Sequence, residues 1–283
     1  MRSTIKWLAI LLLIPARWTV GGEVKRPKIL GVAHMAFYVS DLQKTRAFYK
    51  DLLGFEEPFS LKGKNGAERI AFIKVNDYQY IELFAEPAKQ DGQLNHIAFY
   101  TDDARKMRDY LASRGVAVPD KVVKGQTGNF NYTIKDPDGH TVEIVEYQPD
   151  SWTAREKGKR MPEGRISTHI AHVGVLVGSL EPSMKLYRDI LGFECLNSTE
   201  SWACMGSNGI EIMLALPNAH LPFEKPVMTG SLYFNTDDVD AFWERLKDQC
   251  HVEYPIEDFN YGMREFAVRD NSGYLLQFAR RLE

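Results

Sequence analysis

The sequence predicts an α+β fold of four tandem βαβββ modules, arranged as two domains. Two repeats of different length lead to this prediction. The long repeat relates the halves of the chain, because residues 49–56, YKDLLGFE, return as residues 187–194, YRDILGFE. The short repeat lies within the first half, where His34 and His96 occupy similar positions in strand-like runs 62 residues apart. A repeat within a repeat implies four copies of one structural unit.

Each module is predicted to contain a strand, a helix and three short strands, in that order. In the first module a capping box at Ser40 and Gln43 begins the helix, and Gly54 ends it. In the second module the helix runs from about Asp103 to Gly115. We expect the helices to cover one face of each sheet, because alternation leaves the other face more polar.

The repeat also sets the domain boundaries. It predicts domains over residues 28–148 and 167–283, joined by a charged, solvated linker over residues 149–166. Residues 1–22 combine a charged start, the apolar run WLAILLLIP and a small-residue exit, which is typical of a secretory signal peptide. An exported protein, periplasmic or extracellular, is therefore expected, or a cytoplasmic one if this segment is not a signal. The apolar run falls short of the roughly 20 residues that a membrane span needs, so none is expected in the mature protein.

The overall composition indicates which kinds of molecule the protein binds. The chain has 35 basic and 38 acidic residues and a net charge of −3, which predicts no surface for nucleic acid. Its three cysteines have no CxxC spacing, so a redox or zinc motif is not indicated. The expected partner is a small-molecule substrate, and the protein is expected to be a monomer or a homodimer.

Strand alternation collects the polar side chains of the first domain on one face of the predicted sheet. Successive side chains of a strand point to opposite sides. One face therefore carries two imidazoles, two carboxylates and several aromatic rings: His34, Tyr38, Tyr80, Glu82, Phe84, His96, Tyr100 and Glu143. Neutral imidazoles with one or two carboxylates suit a divalent Zn, Ni, Fe or Mn ion, and they leave positions open for substrate oxygens.

The second domain carries an incomplete version of this set. His172 and Glu211 are predicted to match the first imidazole and the first carboxylate. Ser231 replaces the second imidazole, and Gln277 replaces the second carboxylate. A hydroxyl and an amide are poor ligands for such metals. The sequence therefore predicts one good metal site in the chain, and not two.

At these residues the chain resembles the vicinal oxygen chelate superfamily, which includes glyoxalase I, extradiol dioxygenases and bleomycin-resistance proteins. The motifs that carry the resemblance are HMAFYVSDLQKTRAFYKDLLGFE, HVGVLVGSLEPSMKLYRDILGFE and DPDGHTVEIVE. It implies that paired modules curl into cup-shaped mixed sheets with helices on the outer face. It also implies one divalent metal ion, held by the first and last strands of each module at His34, Glu82, His96 and Glu143.

Two arrangements of that metal site stay open. Pairing of modules within the first domain gives the set just named. Pairing across the two domains gives His172, Glu211, His96 and Glu143 instead. Short connections favour the pairing within a domain. His96 and Glu143 belong to the site in both cases.

The resemblance implies lyase or isomerase chemistry like that of glyoxalase I, on a small oxygenated substrate. In such chemistry the metal stabilises an enediolate, and Glu82 or Glu143 is the base. Dependence on glutathione is doubtful. Tyr38 and Glu86 stand four residues after the two ligands of the first module, where glyoxalase I has an arginine and an asparagine.

A different reaction is the first alternative. An Fe(II) extradiol-type ring-cleaving dioxygenase would use His34, His96 and Glu143 as a facial triad. Thr133 and Lys124 stand where that family has a tyrosine and a second histidine.

The second alternative is a binding protein without catalysis, like the bleomycin-resistance proteins. It would need no metal. Tyr38, Tyr80, Phe84 and Tyr100 would form the walls of the pocket in this protein, as they would in the enzyme.

Overall fold

The computed structural model describes residues 24–86, 94–219 and 230–283, so the predicted signal peptide lies outside the described residues. The first domain contains β1 Ile29–Tyr38, α1 Leu42–Ala47, β2 Glu56–Lys62, β3 Glu68–Lys74, β4 Tyr80–Phe84, β5 Leu94–Thr101, α2 Ala104–Ser113, β6 Val123–Lys124, β7 Phe130–Lys135 and β8 Thr141–Glu146. A short helix, α3 Trp152–Arg155, lies in the connection. The second domain contains β9 Ile170–Leu176, α4 Leu180–Lys185, β10 Glu194–Ser198, β11 Trp202–Ser207, β12 Ile210–Ala215, β13 Gly230–Asn235, α5 Val239–Leu246, β14 His251–Phe259, β15 Met263–Arg269 and β16 Leu275–Arg281.

Within the described residues, sixteen strands form two mixed sheets of eight, and the predicted fold class is confirmed. The first sheet has the order β2-β3-β4-β1-β5-β8-β7-β6, and the second repeats it as β10-β11-β12-β9-β13-β16-β15-β14. In each module the first and last strands pair in parallel, as β1 does with β4 and β5 with β8. The two modules of a domain meet along an antiparallel pair, β1 with β5. Each sheet is thus built from adjacent modules of one domain.

Local capping interactions determine where helix α1 begins and where the helical segment after it ends. The cap of α1 is Asp41 rather than the predicted Ser40, because its carboxylate accepts from the backbone N–H groups of Gln43 and Lys44. A π-helical turn, Phe48–Leu52, extends α1. Gly54 then takes a left-handed φ of 79°, as expected for a helix stop.

One apolar core lies between the two sheets and includes the helices of both domains. Phe37 of β1 packs on Tyr274 with ring centroids 3.9 Å apart. Phe99 of β5 contacts the ring of Tyr187, which belongs to the turn after α4. The side chains on the helix-facing side of the first sheet therefore also pack against residues of the second domain. The opposite, more polar faces of the two sheets point away from this core.

The connection between the domains is more ordered than the predicted solvated linker. Lys74 is fully buried, and its ammonium group donates to the backbone carbonyls of Glu156 and Lys159 and to the carboxylate of Asp77. A buried ammonium group requires such acceptors, so the connection is fastened to β3. Among the described residues, no helix is both long and apolar enough to cross a membrane.

Candidate functional site

The four central strands of the first sheet place the predicted ligands side by side. His34 of β1 is opposite Ala98 of β5, and His96 of β5 is opposite Ala36 of β1. Each imidazole therefore stands next to an alanine on the neighbouring strand. Since alanine side chains are small, they leave room above the sheet for groups that approach the imidazoles. This region of the sheet forms the floor of a cup.

Three of these side chains converge on one point. Nε2 of His34 lies 2.8 Å from Nε2 of His96 and 2.9 Å from Oε2 of Glu143. Nε2 of His96 lies 3.1 Å from the same carboxylate oxygen. His96 Nδ1 donates to Oδ1 of Asn95 at 2.8 Å, which leaves the Nε2 lone pair directed at the cluster.

This donor set fits a divalent metal ion. Two imidazole nitrogens and a carboxylate oxygen bring lone pairs together in a buried place, which is unfavourable without a positive charge between them. Ligand atoms bonded at about 2.1 Å and at right angles lie about 3.0 Å apart, close to the separations found here. The residues present therefore suit the metals that the sequence indicates.

The pKa values of the clustered side chains are shifted in directions that favour positive charge at this place. Burial lowers the pKa of His34, but the carboxylates of Glu82 and Glu143 outweigh it, and the net pKa is raised. The pKa of Glu143 is held well below its usual range despite burial, because both imidazoles lie within hydrogen-bond distance of it. Both shifts favour positive charge at the imidazoles beside the carboxylates.

Glu82 lies beside this cluster rather than in it. Its Oε1 is 3.5 Å from Nε2 of His34, and the three-residue group that could hold an ion does not include it. Burial raises the pKa of Glu82 above its ordinary value, although the neighbouring imidazoles oppose this. Glu82 therefore lies beside the three-residue group, and its membership of the predicted four-ligand set stays a prediction.

A cavity of about 260 Å³ opens above the cluster. Its lining combines apolar and polar residues: His34, Leu61, Arg69, Ile70, Phe72, Tyr80, Glu82, Phe84, His96, Gly125, Gln126, Thr127, Asn129, Asn131, Glu143, Val145, Tyr147 and Thr153. Thr153 comes from α3, so the domain connection closes one wall. Trp152 of the same helix packs against Phe59, with ring centroids 5.1 Å apart. No pattern in the sequence predicted that the connection contributes to this site.

Two of the four predicted wall residues line this cavity, and two do not. Tyr80 and Phe84 line it, whereas Tyr38 packs against Phe84 with ring centroids 6.2 Å apart. Tyr100 stacks on Tyr78 and lines a separate cleft of about 210 Å³ between the domains. Parity placed Tyr100 on the correct face, but it is too far along β5 to reach the cavity.

The second cup contains a different set of side chains. Tyr233 is opposite His172, where the first cup has Ala98, and the two rings stack with centroids 4.2 Å apart. The Tyr233 hydroxyl donates to the buried carboxylate of Glu265 at 2.5 Å. Gln277 donates to the Tyr254 hydroxyl, which itself donates to Glu265. Aromatic rings and hydrogen bonds occupy the space that is open in the first cup.

The predicted equivalence of Glu211 with Glu82 is wrong by two residues. Glu211 pairs with His172 as Tyr80 pairs with His34, whereas Glu82 pairs with Ala36. A shift of two keeps the side chain on the same face, which is why alternation alone did not reveal it. The Glu211 carboxylate accepts from the thiol of Cys204 at 3.6 Å.

The geometry groups the predicted ligands within the first domain. Among the described residues, His96 and Glu143 form a group close enough for one ion with His34, and not with His172 or Glu211. The other such group, Asp136, Asp138 and His140, lies in the turn before β8. There the imidazole is paired with the Asp136 carboxylate at 2.6 Å.

Comparison with known proteins agrees with this architecture. The sequence matches the family described as the Glyoxalase/Bleomycin resistance protein/Dioxygenase superfamily over residues 31–144 and 169–278. It is 28% identical over 124 residues to a protein of Vibrio parahaemolyticus named a probable lactoylglutathione lyase. That alignment covers 41% of this chain and 89% of the relative.

Two kinds of solved enzyme share the fold. The Mn(II)-bound glyoxalase from Novosphingobium aromaticivorans superposes with a TM-score of 0.70 at 17% identity, over 91% of this chain and 84% of its own. A mutant of homoprotocatechuate 2,3-dioxygenase from Brevibacterium fuscum superposes with a TM-score of 0.67 at 15% identity, over 91% and 73%. At these identities the likeness establishes the fold and not the reaction.

Proposed function

Because the chain belongs to the glyoxalase, bleomycin-resistance protein and dioxygenase superfamily, we propose that its first domain is a divalent-metal-dependent enzyme with lyase or isomerase chemistry. The substrate is a small molecule with neighbouring oxygen atoms. The observation that carries this proposal is the position of Glu82, a buried carboxylate 3.5 Å from one ligand of the cluster and outside the cluster itself.

His34, His96 and Glu143 would hold the ion, for which Zn, Ni, Fe and Mn are the candidates that suit these donors. Such an ion supplies Lewis-acid polarisation of a substrate oxygen. Asn95 keeps the His96 imidazole in the tautomer that a ligand needs.

Glu82 is assigned as the base that removes a proton from carbon next to a carbonyl group. Glu143 is less suited to this role, because its oxygen already lies against both imidazoles. The apolar wall at Phe72 and Phe84 excludes water from the reacting carbon. Thr153 and the rest of the connection close the cavity on the other side.

The cavity supports a substrate without a tripeptide carrier. Its volume of about 260 Å³ is below the range of about 300–1,000 Å³ that is usual for drug-sized ligands. A molecule of a few carbons fits, whereas a glutathione conjugate would have to lie largely outside. The relative named a lactoylglutathione lyase therefore informs the type of reaction more than the substrate.

An Fe(II) extradiol-type dioxygenase is the second candidate. It is favoured by the three-ligand group itself, since His34, His96 and Glu143 without Glu82 form a facial triad. Against it, His34 and His96 are the only histidines among the described residues that line the cavity. Both are used as ligands, so no further imidazole is left for proton transfer to oxygen.

Proton exchange at carbon tests the proposal directly. Protein loaded in turn with Zn, Ni, Mn or Fe(II) is incubated in D₂O with hydroxyacetone or dihydroxyacetone, and loss of the C–H signal is followed by NMR. We expect exchange with at least one metal, and a fall of about 100-fold or more in Glu82→Gln with its metal retained. Glu211→Gln, which changes the carboxylate of the second cup, is the matched control and should exchange normally.

The same preparations separate the candidates. Ring opening of catechol by the Fe(II) form under oxygen, with no C–H exchange in any form, would replace the isomerase by the dioxygenase. Exchange that is unchanged in Glu82→Gln would contradict the role given to this carboxylate.

A further inference from the structure

Arg69 reaches the cavity through an irregularity of its strand. Leu61 of β2 pairs with Ile70 of β3, but Lys62 pairs with Glu68, so Arg69 is an extra residue without a partner on β2. Such a bulge redirects a side chain, and bulges are common beside active sites. Regular alternation would place Arg69 on the same face as Ala71, which is fully buried in the core. The bulge instead lets it line the cup.

The guanidinium group has no carboxylate partner among the described residues. Its Nη2 donates to the neutral side-chain oxygen of Gln126 at 3.3 Å. Arg46 on α1 differs from Arg69 in this respect. It donates to the carboxylates of both Glu57 and Glu68 at 2.6–2.9 Å. In the part of the chain that the structure describes, Arg69 therefore keeps most of its five donors available.

The guanidinium group of Arg69 and the Glu82 carboxylate line the same cavity. Gln126 lies in a turn between β6 and β7 that is fixed by a backbone hydrogen bond of 2.8 Å from Gly125 to Asn129. The amide thus holds the guanidinium at one place on the cavity wall.

We propose that the substrate carries a carboxylate or another compact anion, bound by Arg69 at the wall of the first cup. This inference rests on the proposed function, because it describes the substrate of the same site. A guanidinium group matches the two oxygens of a carboxylate with parallel donors. Phe72 and Phe84 line the same cavity and would contact the carbon skeleton of the substrate. Arg69 is therefore the residue that determines specificity for charge.

Binding of paired metal-binding probes tests the inference. The first pair is 4-carboxybenzohydroxamate and 4-carbamoylbenzohydroxamate, and the second pair has one methylene more before the carboxylate or carboxamide. A hydroxamate presents two neighbouring oxygens to the metal, and the members of a pair differ only in charge at the far end. Affinities for the metal-loaded full chain are measured by calorimetry. We expect the carboxylate of at least one pair to bind about tenfold tighter or more.

The variants locate the source of that preference. Arg69→Met keeps an unbranched apolar side chain and removes the charge, so the preference should fall to about one. Lys62→Met removes an equal charge from an exposed position on the adjacent strand that does not line the cavity, and it should keep the preference. Metal content and the melting temperature of both variants should equal those of the wild type.

Three outcomes would overturn the inference. If both members of each pair bind the wild type equally, the metal site stands and the anion site does not exist. If the preference survives in Arg69→Met, another group recognises the anion. If no hydroxamate binds to the metal-loaded protein, the proposed function fails together with the inference.

Discussion

The two cups of this protein have the same strands in the same order and contain different chemistry. Ala98 leaves space in the first cup, whereas Tyr233 fills the corresponding place in the second. The first cup brings His34 to 2.8 Å from a second imidazole, whereas the second stacks His172 on a tyrosine ring. In the first cup, candidate ligands and open space occur together, and in the second cup a ring fills the corresponding place.

The two cups also differ in how well their buried polar groups are hydrogen-bonded. In the second cup the buried carboxylate of Glu265 accepts hydrogen bonds from Tyr233 and Tyr254, so its polar groups are satisfied within the protein. In the first cup the Tyr80 hydroxyl is buried and has no hydrogen-bond partner among the described residues. Unsatisfied buried groups lower stability and are typical of binding sites. We infer that the second cup contributes stability and the first contributes function.

Converting the ligands of the first cup into those of the second should have the largest effect. The double variant His96→Ser/Glu143→Gln keeps the His34 imidazole of the cluster and the Glu82 carboxylate beside it. We expect metal affinity to fall by about 1,000-fold or more, because a hydroxyl and an amide are poor ligands. Metal titration with a competing chelator measures it. Ser231→Ala in the second cup is the control, and a loss of metal there would contradict the assignment.

Filling the first cup should have the next largest effect. Ala98→Tyr imitates the second cup without changing a ligand, and the ring would occupy the space above the imidazoles. We expect the rate of C–H exchange to fall by about 100-fold, because substrate can no longer approach the cluster. Ala98→Ser is the control of similar size to the native residue. Full activity of Ala98→Tyr would show that the space is not needed.

Removing the buried Glu265 carboxylate of the second cup should change stability and not activity. Glu265→Gln keeps the shape and weakens the hydrogen bonds from two tyrosines. We expect the free energy of unfolding to fall by about 2 kcal/mol, measured by urea denaturation. Glu257→Gln, on the exposed residue opposite it in β14, should change stability by less than about 0.5 kcal/mol. If Glu265→Gln lost C–H exchange activity per folded molecule, the second cup would contribute to activity as well as to stability.

The smallest expected effect is a dependence of stability on pH that comes from His172. Burial lowers the pKa of this imidazole to about 4, so it stays neutral in the folded chain while the unfolded chain takes up a proton near pH 6.5. The stability present above pH 6.5 is therefore lost as the pH falls toward 4. The fall in pKa from 6.5 to about 4 corresponds to at most about 3 kcal/mol at pH 4, and partial exposure of the imidazole to solvent reduces this effect. We therefore expect a loss of about 1–2 kcal/mol relative to His172→Phe, from urea denaturation between pH 7 and pH 4. Parallel profiles for the two proteins would contradict this.

Repeats and alternation predicted most of the fold, since they report the module order and the face on which each side chain lies. They also placed His34, His96 and Glu143 on one face, as the structure does. Alternation could not distinguish positions two residues apart, so Glu211 was matched with Glu82 and Tyr100 was assigned to the pocket. Arg69 was missed because a bulge interrupts the period that would locate it.

The connection between the domains could not be predicted either. Its composition is that of a solvated segment, and its order comes from contacts with distant residues. Lys74 binds its carbonyls from β3, and Thr153 reaches the cavity from α3. Such contacts depend on the assembled sheet and leave no periodic signal in the sequence.

The most direct test of the account is the metal content of three proteins prepared side by side. Wild type, His34→Ala and His172→Ala are loaded with the same metal, freed of excess ion and measured by elemental analysis. We expect one equivalent of metal in wild type and in His172→Ala, and almost none in His34→Ala. Loss of the metal in His172→Ala with retention in His34→Ala would contradict it, and would place the site across the two domains.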